Sequence, residues 1–219
     1  MAWPVEAAAL AVLALIAWTA ARFPRALFCE AGGRPHARRA EFGLAAGLFV
    51  VGATWFEAFS GSGPVPRVLT GLALMACLAI VYADIRYLII PDLYSAAIAG
   101  AGVALNLVWP VERGPQGLID ILFGVAVCGG MLGAVAWVWK RVTAIEGLGM
   151  GDVKLAAALG AVLGAQAGVW AITASAAGGA ALGLILQARN RGSDAPLLFP
   201  YGAPLALAGG GLLLWERWS

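Results

Sequence analysis

The chain has 219 residues, 62% hydrophobic and 12% charged, with a formal net charge of +2 and a mean hydropathy of +0.86. A soluble domain carries about 25% charged residues, so the composition excludes an ordinary soluble globule and indicates a chain that crosses a membrane several times. Thirty glycines suit helices that pack closely through small residues.

The first apolar run covers residues 5–21 and is followed at once by Arg22 and Arg25. A cleaved signal peptide has its positive charges before the run and a small-residue cleavage site after it. The reversed order predicts an uncleaved helix with its N-terminus outside. A basic loop spans residues 22–40, and further runs follow at about 42–59, 68–83, 93–108 and 118–138. Residues 153–187 are apolar throughout and too long for one span of about 20 residues. A break near Ala165-Gln166-Ala167-Gly168 divides them into a short helix and a full one. The last run covers 203–214, which makes the expected fold an all-α polytopic membrane protein of about eight helices.

The distribution of cations supports that count. With the N-terminus outside, the cytoplasmic segments hold Arg22, Arg25, Arg34, Arg38, Arg39, Arg86, Lys140, Arg141, Lys154, Arg189 and Arg191, and the outer segments only Arg67, Arg113 and Arg217. Positive charge concentrates on the cytoplasmic side of membrane proteins, and adding or removing a helix spoils the bias. The tryptophans fall near helix ends, as amphipathic rings at headgroup level do.

Within this frame two carboxylates terminate apolar runs at the same face. Asp84 ends Val81-Tyr82-Ala83-Asp84, and Asp152 stands in Glu146-Gly147-Leu148-Gly149-Met150-Gly151-Asp152-Val153-Lys154-Leu155. A carboxylate at the edge of a bilayer is expensive, which makes each a functional candidate in need of a partner. Two carboxylates held together share a proton: the ionised member activates a water while the protonated one polarises a peptide carbonyl, as in an aspartic protease. Spacing alone leaves open two interfacial carboxylates that never meet. Gly149 and Gly151 allow close backbone approach beside Asp152. Lys154 either acts on the pair's ionisation, binds an acidic group, or snorkels to the inner leaflet. Asp92, after Pro91, is placed to cap a helix, while Glu146 is a loop carboxylate close to the motif. The single histidine, His36, and three scattered cysteines, Cys29, Cys77 and Cys128, supply no disulfide framework and no complete metal-ligand cluster. No cofactor is expected, no nucleic-acid partner is indicated, and the lipid bilayer is the evident surrounding. The oligomeric state is not fixed by the sequence.

At these residues the chain resembles the type IV prepilin peptidases, a family of GxGD aspartic peptidases. Residues 146–155 look like the family pattern E-G-M-G-x-G-D-V-K-L. Asp84 to Asp92, D-I-R-Y-L-I-I-P-D, looks like its other motif, an aspartate followed by an [IL]-P-[DN] triplet. Residues 155–164 and Phe199-Pro200-Tyr201-Gly202-Ala203-Pro204 are also similar to the family. The resemblance implies that Asp84 and Asp152 are the catalytic pair, with Gly149, Gly151, Lys154, Pro91, Asp92 and Glu146 as motif support. It further implies an endopeptidase of the bacterial inner membrane that removes the basic leader of a prepilin or pseudopilin after a glycine at the cytoplasmic face. On this reading residues 1–40 form a first helix and loop, and 41–219 the membrane-embedded peptidase domain.

One stretch departs from the family. Longer members carry two C-x-x-C pairs that bind zinc and also N-methylate the new terminus. Cys29-Glu30-Ala31-Gly32-Gly33-Arg34-Pro35 looks like an eroded C-x-x-C-G-x-P, and one cysteine cannot make a tetrahedral structural zinc site. The resemblance then implies a short form without methyltransferase activity. Two rivals are weaker. A presenilin- or signal-peptide-peptidase-like protease also uses GxGD, but the I-P-D triplet and the D-V-K-L continuation fit it less well. A proton- or cation-coupled transporter using Asp84 and Asp152 calls for carboxylates at mid-helix depth and a repeated half, and neither is visible.

Overall fold

The structure, a computed structural model, describes residues 64–108, 117–144, 147–189 and 200–218, with Ala11, Ala14 and Pro115 besides. The described residues are all helical apart from short connections. They form α1 (Pro64–Tyr87), α2 (Asp92–Val108), α3 (Leu118–Thr143), α4 (Met150–Arg189) and α5 (Gly202–Trp218). Among the described residues three stretches are long and apolar enough to cross a membrane, Val65–Tyr87, Leu118–Thr143 and Met150–Ile185, and Asp92–Leu107 is a shorter apolar helix. These elements coincide with the apolar runs read from residue 68 onward. The first two runs and the basic loop 22–40 lie outside the described residues, as does Glu146.

Each helix end has a local cause. Leu88 adopts a left-handed conformation (φ 56) and its N–H donates to Asp84 O at 2.8 Å, which closes α1 as a left-handed residue closes many helices. Ile90 precedes Pro91, whose ring disfavours helical backbone in the residue before it, and α2 begins directly after. Ala144 (φ 58) ends α3, its N–H bonded to Lys140 O. Lys140 and Arg141 in that last turn meet the negative end of the helix dipole.

The long apolar stretch is broken, as its length requires, at Gly164 (φ 75, ψ −179). That residue immediately precedes the four small or polar residues where the break was expected. A left-handed φ favours glycine, and a Cβ here would also sit 3.2 Å from Pro115 Cγ. A break deprives the preceding carbonyls of their helical partners, and in a membrane such groups need others. Asn106 of α2, 2% exposed, supplies them: its amide donates to Ala161 O at 3.0 Å and Val162 O at 3.2 Å.

The core is built around α4. Ile80, Ile98, Leu105, Leu155, Leu159, Leu163 and Leu205 are fully buried, so α1, α2 and α5 all contribute to its packing. Across the seam with α3, Gly124 and Gly160 bring the backbones together so closely that a Cβ on either would overlap the other's carbonyl oxygen. The other face of α3 is apolar and exposed, including Ile119, Phe123, Val135, Trp137 and Val142, as expected for a lipid-facing surface. Arg141 lies over the Trp137 ring at 5.3 Å, within reach of a cation–π attraction.

Candidate active site

The C-terminus of α1 and the N-termini of α4 and α5 converge on one place. Asp84 sits in the last turn of α1 and Asp152 in the first turn of α4. They are 5% and 9% exposed, the two buried acidic side chains among the described residues. They lie close enough for the charge of one to act on the other. The structure thus places at one convergence of helix ends the two aspartates whose relation sequence spacing left open.

Their settings differ. A carboxylate near a helix C-terminus faces the negative end of the dipole, which is unfavourable. Asp84 is compensated by α5: Oδ2 accepts the Ala203 N–H at 2.8 Å, and the Gly202 amide bonds to the same carboxylate. This is an anion seated on a helix N-terminus, where free N–H groups point outward. Asp152 occupies the third position of its own helix. There Oδ2 accepts from Gly149 N at 3.2 Å, while Asp152 N donates to Gly149 O at 3.1 Å. The side-chain bond matches the backward-reaching half of a capping box.

Ile90 joins the two halves of the site. It is 9% exposed and packs between Gly151 and Gly202. A Cβ on Gly151 would stand 3.1 Å from Ile90 Cβ; one on Gly202 would overlap Ile90 Cδ1 and lie 3.1 Å from Asp84 Oδ2. Pro91 fixes the backbone beside this contact. Asp92 opens α2, and its Oδ2 accepts from Lys154 Nζ at 2.7 Å. Both members of this pair are well exposed, at 70% and 49%. Of the roles open to Lys154, the structure therefore shows it binding an acidic group, that of Asp92. Gly149 lies against Asp152, with a Cβ there 3.3 Å from Oδ2.

Sequence reasoning gave no role to Tyr201 and Ser175. The Tyr201 hydroxyl and Ser175 Oγ are 2.9 Å apart, and Tyr201 directly precedes the amides that hold Asp84. The available signal was a tyrosine inside the Pro200-Tyr201-Gly202 turn facing a lone serine in an apolar helix. Among the described residues no three metal-ligating side chains come together.

A family model described as "Type IV leader peptidase family" matches residues 71–184, more than half of the chain. The chain belongs to the type IV leader peptidase family. The matched segment contains Asp84, Asp92, Asp152, Lys154 and Ser175 and ends before Tyr201. Among curated relatives, the Aeromonas hydrophila protein named prepilin leader peptidase/N-methyltransferase is 34% identical over 150 residues, 64% of this chain and 48% of the relative. The proteins of the same name from Stutzerimonas stutzeri and Pseudomonas aeruginosa are each 34% identical over 174 residues, 78% of this chain and 56% of the relative. The chain thus spans about half the length of the leader peptidases it matches. No solved structure matches it.

Proposed function

We propose that this chain is an integral-membrane aspartic endopeptidase that removes the leader of type IV prepilins or pseudopilins. Cleavage follows a glycine at the cytoplasmic face of the bacterial inner membrane. The observation that carries the reading is a pair of buried carboxylates at the convergence of three helix ends, each accepting from backbone N–H and near enough for the charge of one to act on the other. Family membership and the names of the relatives support the substrate class.

The chemistry needs the pair to hold one proton between them. Asp84, with two backbone amides against the single Gly149 N–H on Asp152, is the better seat for negative charge, because hydrogen bonds to the ionised form favour it. It takes a proton from water as that water's oxygen bonds to the scissile carbonyl carbon. Asp152 gives its proton to the carbonyl oxygen. The tetrahedral species then collapses: its C–N bond breaks, the departing nitrogen takes a proton from Asp84, and Asp152 recovers one from the hydroxyl. One water is consumed and both carboxyls return to their starting state.

The reading excludes N-methylation of the new terminus. Gly32 stands where the second cysteine of a C-x-x-C pair is expected, and a lone Cys29 cannot complete a zinc-bound loop.

The test is cleavage of a prepilin from the same genome in proteoliposomes, with wild type, Asp84→Asn and Asp152→Asn side by side and the product read by mass spectrometry. Wild type is expected to cut after a glycine, and each variant to lose at least the ~10²–10⁴-fold typical of a positioned acid or base. A folded wild type that leaves every candidate prepilin intact, or a variant with full activity, would refute the assignment.

A further inference from the structure

Ser175 lies in the half of α4 beyond the break at Gly164, and is 1% exposed. Its Oγ is 2.8 Å from Ile172 O, an oxygen that can only accept, so the one hydroxyl proton of Ser175 is committed there. The Tyr201 hydroxyl, 2.9 Å from the same Oγ, must therefore be the donor in that contact. Tyr201 O in turn accepts from Leu205 N at 3.3 Å, which closes the first turn of α5. The next two residues, Gly202 and Ala203, supply the amides that bind Asp84. The Tyr201 phenol also lies close enough to Asp152 to feel its charge.

These contacts form a continuous path. The first half of α4 carries Asp152, the second half carries Ser175, and the kink at Gly164 lies between them. Ser175 holds Tyr201, and Tyr201 stands at the head of the amides that hold Asp84. We infer that Tyr201 is a positioning residue of the aspartate pair: its hydrogen bond to Ser175 sets where the N-terminal amides of α5 meet the Asp84 carboxylate. The catalytic consequence rests on the peptidase reading above; the structural tie does not.

A purely structural role would consist of two polar groups satisfying each other in an apolar bundle, with loss of the pair lowering stability alone. The two roles separate under paired readouts on the full-length chain in detergent. Tyr201→Phe removes one oxygen and keeps the ring, Ser175→Ala removes the other, and the double variant removes both. Hydrogen exchange followed by mass spectrometry, in peptides covering residues 200–206, reads the amides of Gly202 and Ala203. Prepilin cleavage reads kcat and KM.

The inference expects each single variant to speed exchange at those amides by roughly three- to tenfold, the range that one net hydrogen bond spans. It expects kcat to fall by a similar factor with KM unchanged. The double variant should do no worse than either single one, because both remove the same bond. Unchanged exchange in both single variants overturns the inference, even if melting temperature drops. So do strictly additive losses of kcat, or a rise in KM with kcat retained. If wild type cleaves no prepilin while exchange responds as expected, the peptidase reading fails and the tie between Tyr201 and the Asp84 amides stands.

Discussion

Asp84 violates a local preference that its neighbours obey. Arg86, two residues on, sits in the last turn of α1 where a cation is favoured, whereas a carboxylate there is not. A sequence that breaks a local rule at a buried position does so for a reason found elsewhere in the fold, here the amides of α5. The space around that contact is narrow, which gives a sharp prediction. In Gly202→Ala the new methyl overlaps Ile90 Cδ1 and lies 3.1 Å from Asp84 Oδ2, so cleavage should fall by tenfold or more while the helix content seen by circular dichroism is kept. Ile90→Val removes Cδ1 and should restore part of the lost activity in the double variant; no recovery would mean that Ile90 is not the obstacle. The Lys154–Asp92 pair is a contrasting case. Both side chains are well exposed, and such pairs contribute about 0.2–1 kcal/mol. Lys154→Ala should accordingly shift a thermal melt only slightly. A large loss of activity with an unchanged melt would give Lys154 a part in catalysis beyond holding Asp92. The two aspartates were legible in the sequence because a carboxylate ending an apolar run is conspicuous against its surroundings. Ser175 and Tyr201 were not, because a serine in an apolar helix routinely bonds its own backbone, and its second partner is fixed only by the fold.

At the scale of elements, α4 shows how far length arguments reach. Residues 153–187 exceed one membrane crossing, so a break was required, and its place was narrowed to a few small residues. Gly164 rather than Ala165 or Gly168 takes the left-handed φ, because Pro115 lies against that side and Asn106 offers its amide to the carbonyls left behind. Neither neighbour is adjacent in sequence, which is why the exact residue was not readable. A lone asparagine within the apolar run 93–108 was nevertheless a visible hint. Asn106→Leu keeps the side-chain size and removes both donors. It should destabilise the bundle by about 1–3 kcal/mol, as expected when buried backbone carbonyls lose their partners. Gly164→Ala forces a β-carbon into a positive-φ extended backbone that is essentially restricted to glycine, at roughly 1–3 kcal/mol, with the Pro115 contact adding to it. Denaturation in detergent checks both, and a neutral Asn106→Leu would show that those carbonyls are satisfied by other means.

For the whole molecule, a shared proton has a pH signature. The pair needs one proton between two carboxylates, so activity is lost on the acidic side when both are protonated and on the alkaline side when both are ionised. A bell-shaped profile is expected in the cleavage assay, and a flat profile from about pH 4 to 10 would count against the pair. The product mass decides the other whole-chain question. An unmethylated terminus after incubation with S-adenosylmethionine agrees with the single Cys29, whereas a gain of about one methyl group would contradict the reading drawn from Gly32.

The two buried cysteines of the bundle give it a built-in record of its own opening. Cys128, 0% exposed, is wedged where α3 meets α4, its sulfur against Gly168 and its β-carbon against Gly160, while Cys77 faces Gly210 across the contact of α1 with α5. A maleimide can reach either sulfur only when that particular seam parts, so the alkylation rates of the two thiols time two separate motions. The α1–α5 seam leads toward the amides that grip Asp84, and the α3–α4 seam does not. If substrate entry pries the bundle apart beside Asp84, adding a prepilin will quicken labelling at Cys77 and leave Cys128 untouched.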